Sequence, residues 1–216
     1  MSSDTQRKFL PAAGLDFLLP LYDPLTRLMG FDRTRRALLE QAALQPGFRV
    51  LDVGCGTGTL AVLAKKLHPD VVVVGVDPDP KALARARRKA ERAGVAVQFD
   101  QGFAASLALP SASFDRVLST MMLHHLEADE KDGMLAELAR VLKPGGRLEL
   151  LDFAGPSAQG GLGVARLFHT HGRLRDNAAE SVLERMTRAG LANARIVRTE
   201  RVLFTRVAYY QAIARK

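Results

Sequence analysis

The residues with chemical potential cluster first in one run, Val50-Leu51-Asp52-Val53-Gly54-Cys55-Gly56-Thr57-Gly58, where a β-branched stretch ends in glycines alternating with small side chains. Glycines between a strand and a helix let backbone N–H groups and a ligand approach closely. Nineteen residues after Gly58, Asp77 closes a second β-branched run, where a carboxylate can accept from a ribose diol. Together they indicate a nucleoside ligand. A dinucleotide-binding turn reads GxGxxG, whereas here Gly58 comes one residue early and Thr59 occupies the place of the third glycine, so the pattern for a pyrophosphate is absent. A tight strand-to-helix turn without a ligand would use the same glycines. Asp52 weighs against that simpler reading and against a phosphate, because its charge repels an anion and suits a cationic amino group.

The elements that would position these residues follow from periodicity. Arg49–Asp52 is the first strand, Leu60–Leu67 a helix, Val71–Val76 a strand, Lys81–Ala93 a helix ended by Gly94, and Val95–Phe99 the third strand. Phe114–Ser119 is the fourth, Asp129–Leu142 a helix stopped by Pro144-Gly145-Gly146, and Arg147–Phe153 the fifth. Val71–Val74, with no polar alternation, is expected to be buried on both faces of a parallel sheet. Beyond Ala154 a glycine-rich segment carries a short helix at Leu162–Phe168, then a helix Ala178–Ala189 and two strands, Ala194–Thr199 and Arg201–Tyr210. Only Glu200 separates those strands, so they must be an antiparallel pair, expected at the sheet edge. The reading is therefore α/β, with helices on both faces.

Length and composition set the outer bounds. A chain of 216 residues with 47% hydrophobic and 25% charged residues makes one globular domain, and the single cysteine, Cys55, excludes an internal disulfide framework. No secretory signal or membrane-spanning run is read, so a cytoplasmic location is expected. The net charge of +8 raises nucleic acid or an anionic membrane as partners. Lys81, Arg85, Arg87, Arg88, Lys89 and Arg92 on one helix, and Arg195, Arg198, Arg201 and Arg206 on the last strands, spread that charge over faces expected to be solvated. No specific nucleic-acid site is expected from it, and peripheral contact with an anionic membrane surface stays open.

The run Val50–Gly58 resembles the first motif of the class I S-adenosylmethionine (SAM)-dependent methyltransferases. The resemblance continues through Asp77, through Leu109-Pro110-Ser111-Ala112-Ser113-Phe114-Asp115 and through Leu142-Lys143-Pro144-Gly145-Gly146-Arg147-Leu148. It is strongest to the small-molecule branch that includes the ubiquinone/menaquinone-biosynthesis C-methyltransferases, which share an N-terminal Tyr-Asp like Tyr22-Asp23. The resemblance implies a Rossmann-like sheet of seven strands, mostly parallel with the last strand antiparallel, and SAM as cofactor. It places Gly54, Cys55, Gly56, Thr57 and Gly58 along the methionyl part, Asp52 near its ammonium, Asp77 on the ribose and Pro78 on adenine. Gly102, Phe103 and Ala104 would border the adenine, with Thr120 and Met121 beside the methionine. The family's usual adenine-binding Asp is replaced by Phe103, with Asp100 as a candidate substitute.

Methyl transfer from a sulfonium is an in-line displacement, so the protein mainly aligns the reactants and excludes water. A general base is needed for a phenol, a protonated amine or an enolisable carbon, and His124 or His125 after the fourth strand is the candidate. His125 could equally serve only to satisfy a backbone carbonyl. Tyr22, His124, His125, Phe168 and His169 are the candidate substrate contacts, and no metal site is expected. The amino-methyltransferase tetrad of nucleic-acid enzymes is absent, since Thr120-Met121-Met122-Leu123 stands in its place. What remains is a small-molecule acceptor, hydrophobic or aromatic, with a phospholipid amine as the alternative and an RNA-binding protein on this fold as a more distant one. Residues 1–45 are expected to form a helical cap on a 46–216 core carrying a lid at 155–176, the whole being a monomer or homodimer.

Overall fold

The computed structural model describes residues 31–154, 179–202 and 205–215, and in it seven strands form one sheet in the order β3-β2-β1-β4-β5-β7-β6. The strands are β1 (Arg49–Val53), β2 (Val72–Asp77), β3 (Gln98–Gln101), β4 (Phe114–Thr120), β5 (Leu142–Phe153), β6 (Leu191–Val202) and β7 (Thr205–Ala214). The helices are α1 (Phe31–Ala42), α2 (Thr59–Leu67), α3 (Pro80–Ala93), α4 (Ala128–Val141) and α5 (Ala179–Arg188), with a 3₁₀ turn at Leu123–His125. The first five strands are parallel, and β7 runs antiparallel to both β5 and β6. The chain order reverses beside β1, so the C-terminal ends of β1 and β4 open a crevice where such sheets bind ligands.

Alternation along the strands builds two cores. On one face Val50, Val73, Leu118, Leu151 and Tyr209 pack with Leu38 and Leu39 of α1, Leu60 and Ala61 of α2 and Leu83 of α3. On the other, Leu51, Val74, Val117, Leu150 and Tyr210 meet Met134, Leu135 and Leu138 of α4 and Val182 and Met186 of α5. Helix ends are set by local chemistry. Asp79 accepts from the Lys81 amide at 2.8 Å to start α3, with Pro80 already at the helical φ, and Gly94 ends it in the left-handed region.

A buried polar group anchors α1. Glu149 on β5 is fully buried and accepts from Gln41 Nε2 at 2.6 Å and Gln211 Nε2 at 3.0 Å. Arg147 Nε lies 3.2 Å from it, close enough for an ion pair but not aligned for a hydrogen bond. Burial pushes the Glu149 carboxyl up, and Gln41, Arg147, Gln211 and Arg116 pull it part of the way back. Arg116 Nε and Arg147 Nη2 also donate to the Ala42 carbonyl, at 2.8 and 2.6 Å, and so close the C-terminal end of α1.

Several boundaries differ from the sequence reading. β6 runs on to Val202 and β7 starts at Thr205, so Glu200 is not the break between them but lies inside β6 and pairs with Val207. The antiparallel pair does lie at the sheet edge as expected, with β7 between β5 and β6 and β6 outermost. β3 starts at Gln98, three residues late, because the residues after the Gly94 cap are spent returning to the sheet. β5 begins at Leu142, running through the glycines read as a stop. Val72 is 47% exposed, so the valine run is not buried throughout, although Val71, Val73 and Val74 are. The helix expected at 162–168 and the proposed lid fall outside the described residues.

Candidate functional site

The glycine turn is tied to the neighbouring strand end before any ligand is considered. Gly54 and Cys55 donate to the Val76 carbonyl, at 2.9 and 3.1 Å, and Gly56 donates to Asp77 Oδ2 at 2.8 Å. Asp77 Oδ1 takes the Asp79 amide at 2.9 Å, so each carboxylate oxygen holds one backbone bond and keeps a second lone pair. Burial pushes the Asp77 carboxyl up, against the pull of the Asp79 and Gly56 amides.

The glycines divide by role. Gly58 has φ +73°, and a Cβ there would lie 2.7 Å from Ala86 and 2.9 Å from the Phe99 ring, so it is glycine for packing. Gly56 has φ +51°, yet a Cβ there meets nothing within 4 Å, so its bare backbone borders open space. That space is a cleft of about 380 Å³. Gly54, Cys55, Gly56, Thr57, Asp77, Pro78, Gly102, Phe103, Ala104, Thr120 and Met121 all line it. Of the expected cofactor positions, Asp52 and Gly58 alone stand behind the wall.

Asp52 is 1% exposed, and neither of its oxygens accepts a hydrogen bond among the described residues. Burial first, then the charge of Asp77, push its carboxyl up to about 7, with the Ala61 amide and Arg35 moderating the rise. A cation beside a carboxyl in this state would favour its ionised form. Cys55 is buried and its thiol is pushed well up by burial and by Asp52 and Asp77, which makes it a wall and not a nucleophile.

The two histidines separate. His124 is 4% exposed, does not line the cleft, and has Nδ1 2.8 Å from Asp152 Oδ1. Burial raises the Asp152 carboxyl, but His124, the Phe153 amide and His125 outweigh it and hold the group below its ordinary range. His125 lines the cleft, its ring centroid 4.0 Å from that of His124. Met121, where the chain leaves β4, has φ +54°, a strained value for a non-glycine residue and one often found at functional sites.

Asp100 does not reach the cleft, and its Oδ2 takes Gln98 Nε2 at 2.7 Å instead. Lys89, read as part of a solvated face, turns back to Thr59 and Thr57, with Nζ 2.6 and 3.0 Å from their hydroxyls. Tyr22, Phe168 and His169 lie outside the described residues. No group of His, Cys, Asp and Glu among the described residues is arranged to hold a metal. Sequence reasoning missed Arg35, Thr59, Leu60, Val76, Asp79, Met122, Leu126, Glu127, Asp129 and Glu130 as cleft residues. For Arg35 a signal existed: Phe31, Leu38, Leu39 and Ala42 form an apolar stripe, and Arg35 interrupts it at helical spacing.

A model of the methyltransferase-domain family matches residues 50–146. The chain is 43% identical over 158 residues to the demethylmenaquinone methyltransferase of Deinococcus radiodurans, covering 71% of this chain and 64% of that protein. It is 41% identical over 150 residues to the Thermus thermophilus protein of the same name, covering 68% and 67%. The matched stretch thus spans about two thirds of the length of these relatives. Among solved structures, the YcgJ protein of Bacillus subtilis superposes with a TM-score of 0.69 at 23% identity, covering 86% of this chain and 99% of the other, a likeness of fold.

Proposed function

The chain belongs to the class I SAM-dependent methyltransferases, and on that premise we propose that it methylates a ring carbon of a reduced, hydrophobic quinone-type acceptor. The observation that carries this reading is one cleft lined by the glycine turn, Asp77, Thr120, Met121 and His125. The residues suit the cofactor: Gly56 leaves a bare backbone wall, and among the described residues neither the buried carboxyl of Asp52 nor the buried Oδ2 of Asp79 has a hydrogen-bond partner. When bound, the cofactor supplies a methyl group already activated on sulfur.

Asp77 would hold the ribose diol with its remaining lone pairs, and Asp52 would supply negative charge to the ammonium of the amino-acid end. Pro78 and Phe103 would border the adenine, where Phe103 offers an aromatic contact in place of a carboxylate. His125 would take the proton of a ring hydroxyl as the adjacent carbon accepts the methyl group, and would return it to that oxygen as the carbon gives up its own proton to water, so one proton is released per methyl group added. His124, fixed by Asp152, holds the turn that presents His125. Met121, Met122 and Leu126 supply an apolar wall for the acceptor.

The naming of the two bacterial relatives supports a quinone ring over other small molecules. The test is to supply labelled SAM with reduced demethylmenaquinone, with phosphatidylethanolamine vesicles and with RNA as separate acceptors. Label in the first is expected. Label only in the vesicles would move the acceptor to a phospholipid amine, and absence of SAM binding by calorimetry would overturn the whole reading.

A further inference from the structure

The end of the cleft beyond β2 and β3 is walled by acceptors. Gly102 donates to the Asp77 carbonyl and Gln101 Nε2 to the Pro78 carbonyl, each at 3.1 Å, so Pro78 and Phe103 stand on two strand ends tied together. The Phe103 side chain has no polar atom, and Asp100 is turned to Gln98. Asp79 lines the same end and is 3% exposed; its Oδ1 starts α3, while its buried Oδ2 accepts no hydrogen bond among the described residues. Arg35 is the one Lys or Arg among the described residues that lines the cleft, and it stands on α1, whose Phe31 and Leu38 share a core with Met121 after β4. A buried acceptor left over in such a wall suits a ligand edge that brings N–H donors.

α4 delivers a second carboxylate to this end. The connection from β3 to β4 runs alongside the helix: Ser113 and Ala112 donate to the Val141 and Arg140 carbonyls at 2.8 and 2.9 Å, and Leu107 donates to Glu137 Oε2 at 2.7 Å. Further along, Ala105 lies so near Gly133 that a Cβ on the glycine would be 3.1 Å from its own. Three residues nearer the start of α4 stands Glu130, on the same side as Gly133, and the next residues of the connection are Ala104 and Phe103. Glu130, Ala104 and Phe103 all line the cleft. Glu130 is half-buried, whereas Glu127 and Asp129 are exposed. Its Oε2 accepts the Glu127 amide at 3.0 Å, one arm of a capping box, and its Oε1 accepts no bond among the described residues.

We propose that Glu130 accepts a hydrogen bond from the exocyclic amine of the cofactor's adenine, so that selectivity for the base is supplied in this chain by α4. This rests on the reading of the cleft as the SAM site. That cofactor carries three kinds of donor, its ammonium, its ribose diol and its adenine amine. Asp52 and Asp77 are read to serve the first two, at the ends of β1 and β2, which leaves the amine for the acceptor beside Phe103. A bond to a carboxylate is charge-assisted and stronger than one to a neutral oxygen. Phe103 then borders the plane of the base while Glu130 reads its edge.

The test is a cycle across protein and ligand, read by calorimetry on the full chain. Wild type and Glu130→Gln are each titrated with S-adenosylhomocysteine and with its analogue in which hydrogen replaces the adenine amine. The wild type is expected to bind the analogue at least about 10-fold more weakly than S-adenosylhomocysteine. Glutamine keeps an oxygen for the Glu127 amide, since a capping box accepts Glu or Gln, and places an NH₂ group where Oε1 stood. Glu130→Gln is therefore expected to lose about 10-fold for S-adenosylhomocysteine and to change by less than about twofold for the analogue. Equal losses for both ligands overturn the proposal and make Glu130 a helix cap alone. No loss for S-adenosylhomocysteine, in a wild type that does discriminate, overturns it in favour of Asp79. If Glu130→Gln does not fold, Glu130→Asp replaces it, with a several-fold loss again confined to the amine-bearing ligand. A wild type indifferent to removal of the amine overturns the proposal without any variant, whereas a wild type that binds neither ligand overturns the cofactor reading beneath it.

Discussion

The carboxylates of the cleft have distinct thermodynamic consequences. Asp77 supports the turn through the Gly56 amide and is read to take the ribose diol, so Asp77→Ala is expected to weaken SAM binding about 10-fold or more, the loss of one or two charge-assisted hydrogen bonds. Calorimetric titration checks this. Asp52 holds its proton more tightly folded than unfolded, its pKa rising from 3.8 to about 7. Ionising it therefore costs the ligand-free protein stability as pH rises through that window, while a cation bound beside the ionised form gains. SAM affinity is expected to rise from about pH 6 to about pH 8, and Asp52→Asn should flatten much of that rise. A residual slope belongs to Asp77, whose carboxyl is raised too. For His125, replacement by Ala should lower the turnover rate by about 10²-fold or more with SAM affinity unchanged, since a general base acts in the transition state.

Among the elements, the glycine turn allows a paired comparison. Gly56→Ala meets open space and bears only the left-handed backbone cost, about 1–2 kcal/mol, yet its methyl group intrudes on the ligand. Gly58→Ala bears that cost and also drives a Cβ to 2.7 Å from Ala86 and 2.9 Å from Phe99, for a total of roughly 2–5 kcal/mol. Denaturant melts should rank Gly58→Ala the less stable, and calorimetry should show that Gly56→Ala, though folded, binds SAM poorly. From sequence these glycines look alike, because spacing reveals a turn and not which side of it faces a void. The βα units were legible because buried valines and capped helices signal locally. The burial of His124 was not: whether a polar side chain faces a cleft or the core depends on elements far away in the chain, here His124 against Asp152 on β5. The inserted position of β7 was hidden for the same reason, since a short link reveals that two strands pair but not which of them meets β5.

Taken whole, the molecule is basic outside and acidic within its cleft. A chain of net charge +8 should bind RNA at low salt and lose it steeply between about 50 and 200 mM, without sequence preference, as counterion release requires. Filter binding over a salt series with unrelated sequences checks this, and selectivity surviving at high salt would contradict the assignment of that charge to scattered surfaces such as Arg87 on the Phe99 carbonyl and Arg198 over Tyr209. The placement of β7 between β5 and β6 bears on how the chain comes to be folded at all. During synthesis β6 emerges first, yet among the described residues its ladder partner is the strand that follows it. Until β7 arrives, β5 presents an open edge and β6 lacks that partner, so two edges are exposed to aggregation. Amide exchange in β6 can then never be slower than the opening of β7 permits.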